Sequence, residues 1–368
     1  MLDRIKIDVI IPSIRLSSDF LSGLLKLNIP QDVDMTYYII VDNPTIIIPK
    51  LTKNYALNIK FIRNKTNLGA GQTRNVGLDN AQGDYVLFLD DDITPDKDLI
   101  IEYAKAIHWD EKDEYMGFVG NTTFPPSINS FTKGLLKSDI LTFFTVANWK
   151  STLSWGVTAN LLLKRKYING YRFKSWFPKN GGGEDIDFCL NMKTNSKKKL
   201  KTLPSAQVQH PWWNAGKRSY KRFRRWSFGD SLLPVLHPQH KYYNFPNLLE
   251  SATLSVLFGL VYGFLTFNFI SLLFPLFFIL GDFLVEFIRI SKNHNIRSIR
   301  STLESIIIRT MNDSGRFWGN IRRVRLKGFC ERFDYFCDGL HIKNERYYAF
   351  AKFMVYSVIQ LIGCIIFF

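Results

Sequence analysis

A chain of 368 residues, 46% of them hydrophobic and 15% aromatic, is large enough to bury a substantial core and to carry an appendage besides, which excludes a small or purely polar protein. Its 48 basic and 32 acidic side chains leave a formal net charge of +16, so an anionic partner is required: nucleic acid, anionic lipid or a phosphorylated substrate. The four cysteines (Cys189, Cys330, Cys337, Cys364) lack the paired spacing of a metal array and read as reduced thiols of a cytosol-facing protein.

Met1 is followed by charged residues and then by the short apolar run Ile7 to Pro12, too short for the apolar region of a secretory signal and suited to a buried strand. The first half of the chain is therefore expected to stay in the cytosol. Short β-rich runs follow at Tyr37 to Val41, Ile59 to Arg63 and Tyr85 to Leu89, with helical patterns at Ser17 to Leu27 and Gln72 to Ala81. This alternation predicts an α/β fold with a mostly parallel, Rossmann-like sheet flanked by helices. Such sheets bind ligands at the carboxyl ends of their strands, which singles out Pro12-Ser13, Asp42-Asn43 and Asp90-Asp91-Asp92.

The triplet Asp90 to Asp92 closes the apolar run Tyr85 to Leu89. Like charges so close repel, and a hard divalent cation such as Mg²⁺ or Mn²⁺ relieves the repulsion while also binding a diphosphate. A solvated Asp-rich turn that caps the next helix is the other reading of the same residues. Further on, Gly181-Gly182-Gly183 precedes Glu184-Asp185, and His210 is followed by Pro211-Trp212-Trp213. Three glycines fit either a loop shaped around a ligand or an ordinary flexible turn.

Beyond residue 215 the composition changes. Lys217 to Trp226 interleaves basic and aromatic residues, as does a helix lying on anionic lipid. A nucleic-acid patch has a similar composition, but the neighbouring apolar segments favour lipid, and no nucleic-acid partner is expected. Ser251 to Gly281 is a 31-residue stretch without one charged residue. It predicts two short membrane spans with a turn near Thr266-Phe267-Asn268, and Ala349 to Phe368 predicts a third. The intervening loop from Arg289 to Arg346 holds 13 Lys/Arg against 6 Asp/Glu, which places it in the cytosol. The predicted organisation is a catalytic domain over 1–215, a basic aromatic interfacial segment over 216–248, a transmembrane hairpin over 249–289, a basic cytosolic helical loop over 290–347 and a final transmembrane helix over 348–368. The expected location is the cytoplasmic membrane, with the first domain on its cytosolic face.

The ordered combination of motifs resembles glycosyltransferase family 2, the inverting enzymes of GT-A fold. The residues that carry it are Asp8 to Ser13, Val41-Asp42-Asn43, Asn67 to Leu78 with its Arg74-Asn75 pair, Gly83-Asp84, the Asp triplet, Trp155-Gly156 with Asn160, and Gly181 to Asp187. The resemblance covers roughly residues 5 to 235. It implies that Pro12 and Ser13 lie along the nucleotide, that Asp42 contacts its base, and that Arg74 supports the diphosphate side or pairs with the Asp triplet. It further implies that Asp90 contacts the donor's ribose or sugar, with Asp91 beside it, and that Asp92 binds the metal with Asp90. Asp185 becomes the general base for inversion, with Glu184 orienting the acceptor. His210 stands where several family members place a metal ligand, although a pocket-wall histidine fits as well. Trp155, Asn160, Trp212, Arg225 and Trp226 fall on the acceptor or diphosphate side. Arg225-Trp226 is similar to the end of the Gln-x-x-Arg-Trp motif of processive members, but Arg222 stands in the place of Gln, which speaks against polymer synthesis. The implied activity is transfer from a nucleotide-sugar donor to a lipid-linked or surface-glycan acceptor. A polyprenyl-phosphate sugar synthase and a non-catalytic membrane scaffold are the alternatives.

Overall fold

Runs rich in Val, Ile, Tyr and Phe form the strands of this protein, because such side chains suit a pleated, buried surface. The computed structural model describes residues 4–24, 26–48, 58–294 and 298–367, so Met1, Leu25 within the first expected helix and Phe368 at the end of the last expected span lie outside the described residues. In chain order the strands are β1 (Ile5–Ser13), β2 (Val33–Val41), β3 (Asn58–Arg63), β4 (Tyr85–Leu89), β5 (Thr94–Pro95), β6 (Gly117–Thr123), β7 (Thr152–Leu153), β8 (Asn160–Lys164), β9 (Leu200–Gln209), β10 (Lys241–Tyr243) and β11 (Glu331–Phe333). The helices are α1 (Ser18–Leu24), α2 (Ala70–Asn80), α3 (Leu99–Trp109), α4 (Ser130–Lys137), α5 (Arg165–Ile168), α6 (Glu184–Ser196), α7 (Lys221–Asp230), α8 (Leu233–Leu236), α9 (Leu248–Thr266), α10 (Phe274–Asn293), α11 (Ile299–Arg322) and α12 (Ile342–Phe367).

The chain divides into two units, Met1–Pro126 with Leu141–Ala215, and Ser127–Ile140 with Gly216–Phe368. The first is built on a nine-stranded sheet in the order β3-β2-β1-β4-β8-β6-β9-β5, with β7 also paired to β9. The strands β3, β2, β1 and β4 run parallel. Beyond β4 the sheet is mixed rather than mostly parallel, because β8 inserts antiparallel to both β4 and β6. Strand β8 is the run Asn160-Leu-Leu-Leu-Lys164, buried throughout, and it enters from a loop rather than from a crossover helix, so the parallel direction is not imposed on it.

Successive residues of the central strands face opposite layers. Val9 and Ile11 of β1 and Leu87 and Leu89 of β4 join Leu21 and Leu24 of α1 and Leu99, Tyr103 and Ile107 of α3 in one core. On the other face, Phe88 meets Phe173 and Phe188 edge to face, and Phe173 and Phe188 stack with centroids 4.3 Å apart. With both faces covered, Val86 to Leu89 are wholly buried, and the chain emerges at Asp90 with nowhere apolar left to go.

The second unit is helical apart from the β10–β11 pair. The segment Ser127–Ile140 belongs to it although it lies within the stretch expected to form one domain: Phe131 of α4 packs against Tyr220 and Phe223, and a Cβ at Gly134 would meet Glu304 and Ser301 of α11. The turn expected near Thr266 is present, since α9 ends at Thr266 and Phe267 takes the left-handed conformation (φ 55°). Among the described residues, three helical segments, Leu248–Thr266, Ile270–Asn293 and Ile342–Ile366, are long and apolar enough to cross a membrane. Cys189 is buried, and Cys330, Cys337 and Cys364 are partly buried.

Candidate active site

The strand order reverses between β1 and β4, since β2 lies on one side of β1 and β4 on the other. Ligands of open α/β sheets bind at such a switch point, outside the carboxyl ends of the strands. Here the end of β1 supplies Ser13 and Arg15, and the end of β4 supplies the Asp triplet. The Ser13 hydroxyl donates to Asp91 Oδ2 (2.6 Å) and accepts from the Leu16 N–H (2.9 Å). One guanidinium nitrogen of Arg15 reaches both Asp91 Oδ1 (2.5 Å) and Asp92 Oδ2 (2.8 Å). The Arg15 side chain is still 54% exposed, so it presents positive charge to whatever enters. Burial raises the Asp91 carboxyl above the ordinary range, against the pull of Arg15 and Ser13.

Asp90, Asp92 and His210 bring ligand-type atoms within 4.8 Å of one another. The His210 ring is buried, with Nδ1 2.7 Å from the Pro211 carbonyl and Nε2 3.4 Å from Asp92 Oδ1. A carbonyl only accepts, so Nδ1 carries a proton, and Nε2 faces a carboxylate. Two lone-pair atoms facing each other need a positive charge between them, either a proton or a metal ion. Two carboxylates and one imidazole suit a hard-to-borderline divalent cation. The ring is fixed by its aromatic neighbours Phe124, Phe144 and Trp213, at centroid distances of 5.7, 6.3 and 5.0 Å.

The Gly-rich turn sets the opposite wall. Asp42 accepts from the N–H groups of Leu68 (2.7 Å) and Gly69 (2.9 Å) and from Asn64 Nδ2 (2.8 Å). Its carboxylate thus shapes the turn that starts α2, and any contact with a base is made by the lone pairs left over. Gly69 has φ 83°, and a Cβ there would lie 2.6 Å from Lys179, so no other residue fits. Helix α2 then carries Arg74 to Asp90 (2.7 Å), while Asn75 clamps Phe173 through both its amide nitrogen and its amide oxygen (2.8 Å each). Among the described residues, Arg74 Nε is buried without a hydrogen-bond partner.

Gly181, Gly182 and Gly183 all have positive φ (88°, 131° and 86°), a succession closed to residues with a Cβ. This turn delivers Glu184 and Asp185 as the first residues of α6, where the helix N-terminus favours negative charge. Asp185 accepts from Thr158 N–H (3.1 Å) and from its hydroxyl (3.1 Å to Oδ2). Glu184 Oε2 accepts from Gly182 N–H (2.5 Å). Burial raises both carboxyls above the ordinary range: Asp185 adds repulsion to Glu184, whereas Arg74 pulls Asp185 down and Asp90 pushes it up. The acid on α6 and the acid after β4 therefore share the field of one arginine.

Within the first unit, not every expected residue comes to this corner. Asn160 is fully buried and spends its amide on Ala206 O (2.9 Å) and its oxygen on Tyr103 Oη (2.7 Å), so it is a sheet-interior residue, not an acceptor contact. Its position inside a buried strand is the reason. Trp155 is buried against Phe143 (4.9 Å), and Trp212 stacks on Phe124 (5.2 Å) while donating to Pro126 O (3.1 Å). Pro12 is the residue before Ser13 at the end of β1. Arg225 and Trp226 lie on α7 of the second unit, where Trp226 packs on Phe223 and the Arg222 guanidinium lies over its ring (5.7 Å). Arg15 and Thr158 were not expected. Arg15 lies two residues past Ser13 in the sequence, a visible hint, whereas nothing in the sequence ties Thr158 to Asp185. A separate cavity of about 820 Å³ lies at the amino end of β4, where Lys164 is paired with Asp110 (2.7 Å) and Asp113 (2.6 Å).

Sheet, switch point and acidic corner define an α/β domain with its candidate ligand site at the carboxyl ends of the strands. Residues 8–171 match the family model described as Glycosyl transferase family 2. A relative from Haemophilus influenzae, described as an uncharacterized glycosyltransferase, is 35% identical over 86 residues; the match spans 23% of this chain and 29% of that protein's length. Among solved structures, S. aureus TarS 1-349 is similar at 15% identity and a TM-score of 0.39, over 85% of this chain and 92% of that one. The same protein in complex with UDP-GlcNAc gives 16% identity and a TM-score of 0.42 over the same shares.

Proposed function

We propose that the chain is a membrane-bound inverting glycosyltransferase that moves a sugar from a nucleotide-sugar donor to a hydroxyl of a lipid-linked or surface-glycan acceptor. The observation that carries the reading is the pairing of two differently used acid groups around Arg74: Asp90 with Asp92 and His210 on the donor side, and Asp185, held by Thr158, as the base. Ser13 and Arg15 fit the donor's phosphates, the first by orienting Asp91 and the second by its half-exposed guanidinium. Asp90, Asp92 and His210 would hold Mn²⁺ or Mg²⁺, which supplies charge compensation for the departing diphosphate.

Asp185 takes the proton of the acceptor hydroxyl as its oxygen attacks the anomeric carbon from the face opposite the diphosphate. The new glycosidic bond forms as the bond to the diphosphate breaks, so the anomeric configuration inverts and no covalent enzyme intermediate arises. The raised proton affinity of Asp185 matches this task, because a strongly acidic carboxylate is a poor base. Glu184, bound to the Gly182 N–H, stiffens the loop and helps keep Asp185 as the ionised member of the pair when it carries the proton itself. A polyprenyl-phosphate acceptor, already ionised, would have no need of such a base.

The test is turnover. The purified full-length chain is incubated with a panel of nucleotide-sugars and a membrane lipid extract, with products read by mass spectrometry and anomeric configuration by NMR. Consumption of one donor with an inverted linkage to a hydroxyl supports the reading. A retained configuration, transfer onto a phosphate, or no turnover of any donor overturns it.

A further inference from the structure

The three apolar helices of the second unit are long enough to cross a bilayer, but their charged residues sit at unexpected heights. Asp282 is near the middle of its apolar segment, where it meets Lys352 Nζ (2.7 Å) and the Tyr356 hydroxyl (2.7 Å). Glu286 meets the same Lys352 (2.9 Å) and Arg309 (2.9 Å), and Arg289 pairs with Glu345 (2.6 Å). From the level of Asp282 these charged groups extend toward the ends of α10 and α12 that carry Arg289 and Glu345. Toward the other end the surface is apolar: Val261, Phe264 and Leu265 of α9, Leu280 of α10, and Leu361 and Ile365 of α12 are each more than 60% exposed. From Asp282 back to Ile270, or from Lys352 on to Ile366, the apolar end measures about 20 Å at 1.5 Å per residue. The hydrocarbon of a bilayer is about 30 Å thick. Asp282 and Lys352 are buried and paired between the helices, yet a crossing would draw them about 10 Å into the hydrocarbon, where even paired ionisable groups are costly.

The turn at the tip points the same way. Thr266 Oγ1 donates to Tyr262 O (2.9 Å) and accepts from the Asn268 N–H (3.3 Å), Asn268 Oδ1 accepts from the Ile270 N–H (3.1 Å), and the Leu272 N–H is bonded to Phe269 O (3.1 Å). Phe267 at its apex is 89% exposed. A turn that reaches water leaves its backbone to the solvent and carries polar side chains. This one turns both of its polar side chains, Thr266 and Asn268, onto its own backbone and an aromatic ring outward, as non-aqueous surroundings favour.

We propose that α9, α10 and the end of α12 form a wedge that enters a lipid bilayer from one side and ends within its hydrocarbon, short of the far headgroups. The Asp282, Glu286 and Lys352 girdle lies at headgroup level, and the Phe267 turn lies within the hydrocarbon. The basic excess between Arg289 and Arg346, 13 against 6 acidic residues, then faces an anionic headgroup layer on the same side. The proposal rests on the membrane-bound reading above and replaces its crossing hairpin with a monotopic anchor.

The test places a single reporter thiol at Phe267→Cys, and separately at Leu265→Cys, in the full chain with Cys330, Cys337 and Cys364 changed to Ser and the buried Cys189 kept. An impermeant maleimide is applied to intact expressing cells and to inside-out membrane vesicles, with thermal melts confirming that each variant is folded. The expected result is no labelling from either side, full labelling in detergent, and strongest quenching of a bimane attached at position 267 by lipids brominated deep in the acyl chain. Labelling from the outside would mean that the hairpin crosses, and labelling from the cytosolic side would mean that the tip lies in water; either overturns the wedge alone. Release of the whole chain from membranes by alkaline carbonate overturns both the wedge and the membrane-bound reading.

Discussion

Replacing Asp185 by Asn tests the base assignment with little disturbance of shape. The Asn oxygen still accepts the Thr158 N–H now 3.1 Å from Asp185, and the new amide group can donate to the Thr158 hydroxyl in place of the bond it receives today. Only the capacity to take a proton is removed. A general base contributes about 10²- to 10⁴-fold in rate, or about 3–5 kcal/mol of barrier at about 1.36 kcal/mol per tenfold. Stability should move the other way. Burial raises the Asp185 carboxyl in the folded chain, so ionisation near neutral pH opposes folding, and the neutral amide removes that penalty. The expected signature is a 10²- to 10⁴-fold loss of kcat, an unchanged donor Kd and an equal or higher Tm. Thr158→Val, which keeps the backbone N–H and loses the hydroxyl, should cost only about 1 kcal/mol of positioning. Single-turnover transfer with bound donor, alongside a thermal melt, reads all three quantities. Near-wild-type turnover of the Asn variant with the chemical step limiting would refute the assignment, and a rate loss matched by a falling Tm would show a structural role instead.

His210→Ala should raise the Mn²⁺ concentration needed for half-maximal transfer, and Asp92→Ala should raise it further; an unchanged metal requirement in His210→Ala would leave the imidazole as a pocket wall. Arg15→Ala should weaken binding of the donor's nucleoside diphosphate by roughly 10- to 100-fold, the range for charge-assisted hydrogen bonds, and calorimetry that shows unchanged affinity would remove Arg15 from the donor site. Glu184→Gln tests linkage. With a folded-state pKa above the unfolded value of about 4.3, the folded chain holds a proton that the unfolded chain releases, so stability falls as pH rises through that window. The Gln variant should lose this slope, with its Tm gain over wild type present at pH 8 and absent at pH 4; equal pH profiles would show that Glu184 is not perturbed.

Much of the fold was legible because its motifs are local. Val86 to Leu89 announce a strand buried on both faces, and the carboxylates that follow must then stand at its carboxyl end. The three glycines before Glu184 specify a backbone that only glycine adopts, and the uncharged run after Ser251 with its turn at Phe267 is written in composition alone. Contacts between distant segments are not written that way. Asn160 had the look of a site residue, yet the antiparallel insertion of β8 turned it into the sheet, and the same insertion made the sheet mixed. Arg15 became a partner of Asp91 and Asp92 only through the adjacency of β1 and β4 across 76 residues, and the fold alone brought Thr158 to Asp185. The chain by itself determined which residues could carry charge, turn or bury, since these depend on side-chain chemistry and short-range backbone geometry. Which acid meets which base, which polar group is consumed inside the sheet, and at what height Asp282 meets Lys352 were decided by tertiary packing, because those energies depend on distances between segments that only the fold sets.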